Sequence, residues 1–214
     1  MIVEHLIVGP LRVNCFILGC EDSGDAVVID PGGDPQAIRG LLERRGWTLR
    51  AILATHAHFD HILAVDALRE DAHIPFYLHP ADEAILPYQR DWVRTWMGFD
   101  PGPMPHVDEP LLPDTPFQQG CIRLEVAHTP GHSPGSVTLL DREGGRAFVG
   151  DLIFAGAVGR TDIPGGDQDL LMDSLRRVIL PLPDETLLLP GHGEFTTVGE
   201  ERRFNPYLSL LARG

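Results

Sequence analysis

Between Thr55 and His61 the chain reads Thr-His-Ala-His-Phe-Asp-His, with three histidines and an aspartate in six consecutive positions. The run directly follows Arg50-Ala51-Ile52-Leu53-Ala54, a short apolar stretch with the character of a buried strand. A strand that ends in closely spaced nitrogen and oxygen donors delivers them together to one point at the edge of a sheet. In extended chain alternate residues face the same way, so His56 and His58 can grip one cation from one side. Asp60 and His61 come next, where Ile62–Arg69 has the apolar pattern of a helix. A helix N-terminus favours a carboxylate, and a cation bound nearby would favour it more. Scattered histidines in a polar loop usually need no special account. Four donors this close together point to metal.

At 214 residues the chain is long enough for one domain with a real core, and a single domain over residues 1–214 is expected. The formal net charge of −14 argues against a nucleic-acid or anionic-membrane partner, since either needs a basic patch. Every basic residue is an arginine, so lysine Schiff-base chemistry and a Walker-type phosphate loop are excluded. Cys15, Cys20 and Cys121 are an odd number with no CxxC pair. Cys15 and Cys121 lie in apolar, strand-like surroundings and are expected in the core, with Cys20 more exposed. A reduced, cytoplasmic setting is the simplest fit. The first ten residues lack the pattern of an export signal, and no apolar stretch approaches the ~20 residues of a membrane span.

Strand signals open the chain at Ile2–Val8, Val13–Gly19 and Ala26–Asp30. Asp34–Arg45 has helical spacing, with Asp34 as the expected N-cap and Gly46 as the stop. Pro75–His79 predicts a strand and Pro80–Leu86 a short helix. Residues 87–119 break the rhythm with seven prolines, and Trp92 and Trp96 stand four apart. So long an irregular segment is either an excursion beside the active site or a surface cover held down by its tryptophans. Strand signals resume at Cys121–Ala127, Ser136–Leu140 and Arg146–Val149. A helix over Gln168–Ile179, a strand at Thr186–Leu189 and a helix from Val198 follow. Two groups of strands, each followed by helices, favour sheets packed on each other with helices outside.

More donors stand at strand ends. His132 lies in the turn-dense Thr129-Pro130-Gly131-His132-Ser133-Pro134-Gly135, Asp151 ends Ala147–Asp151, His192 follows Leu187–Gly191, and Asp30 ends Val27–Asp30. This set, Asp30, His56-x-His58-x-Asp60-His61, His132, Asp151 and His192, resembles the five motifs of the metallo-β-lactamase superfamily in order, over nearly the whole chain. The resemblance implies an α/β (α+β) fold, a four-layer αβ/βα sandwich of two mixed sheets with helices on the outer faces. It implies two divalent metal ions, zinc by expectation, with iron and manganese as alternatives. One ion would take His56, His58 and His132 and the other Asp60, His61 and His192. Asp151 would bridge both, and Asp30 would support the ligand loop without binding metal.

Within the superfamily the chain is most similar to glyoxalase II (hydroxyacylglutathione hydrolase) in its short bacterial form, through Thr129–Gly135, Gly150-Asp151, Gly159-Arg160-Thr161-Asp162 and Pro190–Gly193. It stops soon after Asn205-Pro206-Tyr207-Leu208, where full-length enzymes carry a helical domain that supplies much of the glutathione site. The implied reaction is hydrolysis of a small-molecule thioester by water made nucleophilic at the metals, with Asp60 and Asp151 as catalytic residues. Arg160 suits a substrate carboxylate or, equally, a salt bridge to Asp162. Ser133 and Ser136 are explained by hydrogen bonding within the turn. His128 could lean on the metal ligands, whereas His5, His73, His79 and His106 read as structural or exposed. Rival readings are a persulfide dioxygenase, whose single iron takes the positions of His56, His132 and Asp151, and a non-catalytic metal scaffold. The donors are too many for one closed tetrahedron, which weighs against the scaffold. The absent export signal disfavours a β-lactamase, and the acidic charge disfavours a nuclease.

Overall fold

Val13–Gly19 is buried along its whole length, as its nearly unbroken apolar sequence requires. Its alternate side chains serve two cores: Val13, Cys15 and Ile17 pack to one side, Phe16 and Leu18 to the other. A strand covered on both faces belongs to an inner layer. The computed structural model describes residues 1–69 and 73–211.

The first sheet runs in chain order through β1 (Ile2–Val8), β2 (Val13–Gly19), β3 (Asp25–Ile29), β4 (Thr48–Leu53), β5 (Phe76–Leu78) and β6 (Glu109–Pro110). The β1–β2–β3 pairings are antiparallel and those from β3 to β6 parallel. Against it lie α1 (Pro35–Arg45), α2 (Phe59–Ile62), α3 (Val65–Arg69), α4 (Pro80–Glu83) and α5 (Leu86–Met97). The second sheet contains β7 (Phe117–Gln119), β8 (Ile122–His128), β9 (Val137–Asp141) and β10 (Arg146–Gly150). A two-stranded ribbon, β11 (Ile153–Phe154) and β12 (Ala157–Val158), and α6 (Gln168–Ser174) precede its last strands, β13 (Leu187–Pro190) and β14 (Thr196–Thr197). The order is β14-β13-β10-β9-β8-β7, with β10–β13 parallel. α6 continues as a wider π-turn over Leu175–Ile179, and α7 (Val198–Phe204) and α8 (Pro206–Leu211) close the described chain.

Three apolar clusters define the layers. Phe16, Leu18, Ile29 and Leu53 of the first sheet meet Ile122, Leu139, Phe148 and Leu189 of the second. Val28 and Ile52 face outward onto Ile38, Leu41 and Leu42 of α1. Ala147, Val149 and Leu188 face outward onto Leu171, Leu175, Val198 and Leu208. This is the four-layer αβ/βα arrangement that the resemblance implies, with the packed sheets and outer helices that the strand grouping favours. Because β3, β4, β8, β10 and β13 are mutually parallel within their sheets, their C-terminal ends gather donors along the rim.

Several local expectations are corrected. Asp34 occupies the N-cap position of α1 but its side chain caps nothing; it accepts from the Gly9 N–H at 2.8 Å. The helix expected over Ile62–Arg69 is two short ones, because the first turn starts early, at Phe59. Within residues 87–119 the structure places α5, β6 and β7, with Pro87 in the first turn of α5, where its missing N–H costs nothing. The cysteines differ most. Cys20 is buried, Cys121 is exposed, and the two form a disulfide across 101 residues. It ties the end of β2 to the start of β8, so only Cys15 is a free thiol, and burial pushes that thiol up. The apolar character beside Cys121 belongs to Ile122, which strand alternation turns inward one residue later. Among the described residues no helix is long and apolar enough to cross a membrane.

Candidate metal centre

β4 ends at Leu53, and the five residues after it run straight into α2, so His56, His58, Asp60 and His61 arrive at one rim position. The second sheet supplies the rest from three loops: His132 between β8 and β9, Asp151 after β10 and His192 after β13. The structure brings all seven together. Ligand-type atoms of His56, His58 and His132 lie within 4.8 Å of one another, and so do those of Asp60, His61 and His192. Asp151 sits between the two groups. One carboxylate oxygen is 3.5 Å from His61 Nε2, and the other is 3.6 Å from His132 Nε2 and 3.8 Å from His192 Nε2.

The imidazoles are aimed from behind. His56 Nδ1 bonds Thr55 Oγ1 at 3.1 Å, His132 Nδ1 bonds the Arg160 carbonyl at 2.8 Å, and His192 Nδ1 bonds the Leu11 carbonyl at 3.1 Å. Each bond leaves Nε2 facing the centre, the arrangement that orients a metal-binding histidine. His58 is turned the other way, with Nδ1 2.9 Å from His132 Nε2. Asp30 is where the sequence places it, held at a left-handed φ of 54°. It accepts from Thr55 N and Oγ1, both at 2.7 Å, and its Oδ2 lies 3.0 Å from His61 Nδ1, off the hydrogen-bond axis. Gly191 lets the backbone approach two of the donors: a Cβ there would stand 2.3 Å from Asp151 Oδ1 and 2.6 Å from His61 Cε1.

The donor set fits divalent metal. His56 Nε2, His61 Nε2 and Asp151 Oδ1 are buried and have no hydrogen-bond partner, which is costly unless a cation takes them. Burial, reinforced by the surrounding histidines, pushes His56 well below the usual imidazole range, and burial with His132 takes His58 down to about 3. Both are therefore neutral donors. Burial also opposes charge on His61, but Asp30, Asp60 and Asp151 overcome it and raise the ring to about 10. The three carboxylates thus favour a positive charge at this point, and a dication there would meet the same demand with the ring as a neutral donor. For Asp60 burial acts upward, yet His61 and His192 hold its carboxyl well below the usual range.

Residues that carry no motif hold the loops in place. Asp82, fully buried, accepts from Ala57 N (2.8 Å) and Ser133 Oγ (2.8 Å) through Oδ2 and from Gly135 N (2.5 Å) through Oδ1. It thus ties the His56–His58 loop to the His132 loop, and burial raises its carboxyl above the usual range. Asn14 donates to the Pro190 and Gly193 carbonyls at 2.9 and 3.0 Å, fixing the His192 loop from β2. Gln89 of α5 accepts from Phe59 N at 3.0 Å. A polar Asn14 inside an otherwise apolar strand was a visible signal; Asp82 and Gln89 had none. His128 does not reach the centre: it bonds the Pro134 carbonyl and stacks on His79 with ring centroids 4.2 Å apart. Arg160 lines the cleft but is engaged by both oxygens of Asp162, at 2.8 and 3.1 Å.

The centre opens into a cleft of about 250 Å³ lined by Leu11, Phe59, Trp92, Trp96 and Ile163 besides the donors. A larger cavity, about 500 Å³, lies at the opposite ends of β8 and β10 around Arg123, Arg142 and Arg146 and contains none of the site residues.

Seven donors in this order and geometry, in an αβ/βα sandwich, agree with the family pattern that matches residues 8–192. The chain belongs to the metallo-β-lactamase superfamily. Among superfamily members, hydroxyacylglutathione hydrolase GloC of Haemophilus influenzae is 33% identical over 98% of this chain and 99% of its own length. The crystal structure of BLEG-1 B3 metallo-beta-lactamase superposes with a TM-score of 0.86 at 39% identity, covering 97% of this chain and all of that one. TTHA1623 in a di-iron-bound form gives 0.80 at 41% identity, over 96% of this chain and all of that one.

Proposed function

We propose that this chain is a metal-dependent thioesterase that hydrolyses S-(2-hydroxyacyl)glutathione or a related thioester. The observation that carries the reading is the pair of three-donor groups with Asp151 reaching both. His56, His58 and His132 would hold one divalent ion, and Asp60, His61 and His192 a second. Ions bound there supply the Lewis acidity that makes water a nucleophile near neutral pH and stabilises charge on an attacked carbonyl oxygen. Asp60 is ionised at neutral pH and lines the cleft, so its carboxylate can accept a hydrogen bond from the attacking water and orient it. Water adds to the acyl carbon, the carbon–sulfur bond breaks, and the thiolate leaves to take up a proton. The donors of Asp60, His61 and His192 favour this over a single-iron dioxygenase, which would leave them idle. The likeness to GloC supports the thioester.

The likeness to BLEG-1 gives a second reading, β-lactam hydrolysis, because the same attack opens a strained amide. One experiment separates all three. The purified protein is analysed for metal and assayed with S-lactoylglutathione, with a chromogenic β-lactam, and for oxygen uptake with glutathione persulfide. Two ions per chain and thioester turnover are expected, with Asp151→Ala lowering turnover at least about 100-fold while the circular dichroism spectrum is kept. One iron per chain with oxygen uptake overturns the hydrolase, and β-lactam turnover alone overturns the substrate.

A further inference from the structure

Aromatic residues line the way out of the metal centre. The Trp92 ring stacks on the imidazole of His58, centroids 5.8 Å apart and planes at 25°; Trp96 stacks on Trp92 at 6.0 Å and 5°. These spacings lie within the range of offset-stacked rings. The column thus runs outward from a metal-facing histidine, and both tryptophans line the cleft with Leu11, Phe59 and Ile163.

The face that buries α5 against the protein is a different one. Its inward face is Leu86, Gln89 and Val93, all buried, with Gln89 bonded to Phe59 N. Trp92 is half-buried and Trp96 remains 57% exposed. Tyr88, four residues before Trp92, continues the stripe and is also exposed. A surface cover would turn its large rings inward; this helix turns them toward the cleft. The charges agree. Arg160 is engaged by Asp162, while Arg90 and Arg94 both bind Asp100, so the arginines of α5 and the cleft are already paired with acids. A second carboxylate on the substrate would gain little at this face, whereas a flat apolar group would gain two ring faces.

Resting on the thioesterase reading, we infer that the Trp92–Trp96 face receives a flat apolar, preferably aromatic, substituent of the substrate, carried on the acyl or the thiol arm close to the reacting carbonyl. The substrate class is then arylated or otherwise bulky apolar thioesters rather than small hydrophilic ones.

The test compares kcat/KM for S-mandeloylglutathione with S-lactoylglutathione, which differ in the acyl arm. Lactoyl thioesters of benzyl mercaptan and 2-mercaptoethanol vary the thiol arm. A ring on one arm is expected to raise kcat/KM about tenfold. Trp92→Ala and Trp96→Ala should bring that ratio close to one, and Trp96→Phe should restore most of it. Binding is measured separately, by tryptophan fluorescence with the unhydrolysable thioethers S-benzylglutathione and S-methylglutathione. The benzyl compound should quench and bind about tenfold more tightly, and Trp96→Ala should remove the difference. Equal binding of the two thioethers, or a preference that survives both alanine variants in folded protein, overturns the inference. If no thioester is hydrolysed but the benzyl preference is present, the thioesterase reading falls and the aromatic site stands.

Discussion

At the scale of single residues, one carboxylate, Asp82, joins the His56–His58 loop to the His132 loop. In Pro80-Ala81-Asp82-Glu83 it looks like an ordinary first-turn acid, and its partners lie 25, 51 and 53 residues away. Its role follows from having two acceptor oxygens. Ala57 and Ser133 use one and Gly135 the other, whereas an amide keeps one oxygen and presents a donor where a donor already stands. Asp82→Asn should therefore loosen the loops of His56, His58 and His132 while leaving Asp30 and His61 untouched. We expect metal affinity at the first group to fall about 10- to 100-fold and stability by about 2 kcal/mol, read by metal titration and urea unfolding. Metal binding equal to that of the unaltered protein would show that the loops hold without the clamp. The ligand set was legible because each donor stands in a short motif at a strand end; Asp82 was not. Arg160 teaches the reverse lesson: the motif drew attention to it, and the neighbouring Asp162 engages it.

At the scale of elements, nine strands of the two sheets were legible to within two residues because their alternation is imposed by the cores, whereas the two- and three-residue strands β6, β7 and β14 are too short to show a pattern. α5 was obscured by its setting, since a helix with a proline in its first turn, leading into a proline-dense segment, offers little periodicity against the background. Contacts between elements were harder still. His79 follows β5 and His128 ends β8, and their rings stack nearly parallel, at 7°. Burial, then the neighbouring charge of His128, lowers His79 from 6.5 to about 4. The folded state therefore prefers the neutral ring. The stability this gives is fully present above about pH 6.5 and is lost as pH falls toward 4. Because the ring is only half-buried, solvent screening leaves roughly 1 kcal/mol of the effect. His79→Phe keeps a stacking ring without the titration. Its unfolding free energy should fall about 1 kcal/mol less than that of the unaltered protein between pH 7 and pH 4.5, measured by urea denaturation. Parallel pH profiles would remove His79 from the acid response.

At the scale of the whole molecule, the two sheets meet along their central core and again at the rim, where His56–His61 from the first face His132, Asp151 and His192 from the second. The two-sheet architecture was legible because strands come in two groups; the disulfide between Cys20 and Cys121 was not, because nothing local pairs residues so far apart. The rim has a consequence for stability. The apolar clusters are complete without the donors, so removing metal should leave the secondary structure in place. It would also leave Asp30, Asp60 and Asp151 gathered around His61 with only imidazole protons to offset them. Ions that bind only the folded state stabilise it by mass action, about 4 kcal/mol when present at a thousand times the dissociation constant. For a chain of this size that corresponds to roughly 10 °C in Tm. Exhaustive chelation should lower Tm by that amount with an unchanged far-ultraviolet spectrum, and added zinc should restore it. Asp151→Ala, which removes the one side chain shared by both groups, should reduce the zinc-dependent gain by more than half, since each ion then loses a donor. A Tm indifferent to chelation in protein first shown to contain metal would mean that the rim adds nothing to the hold of the central core.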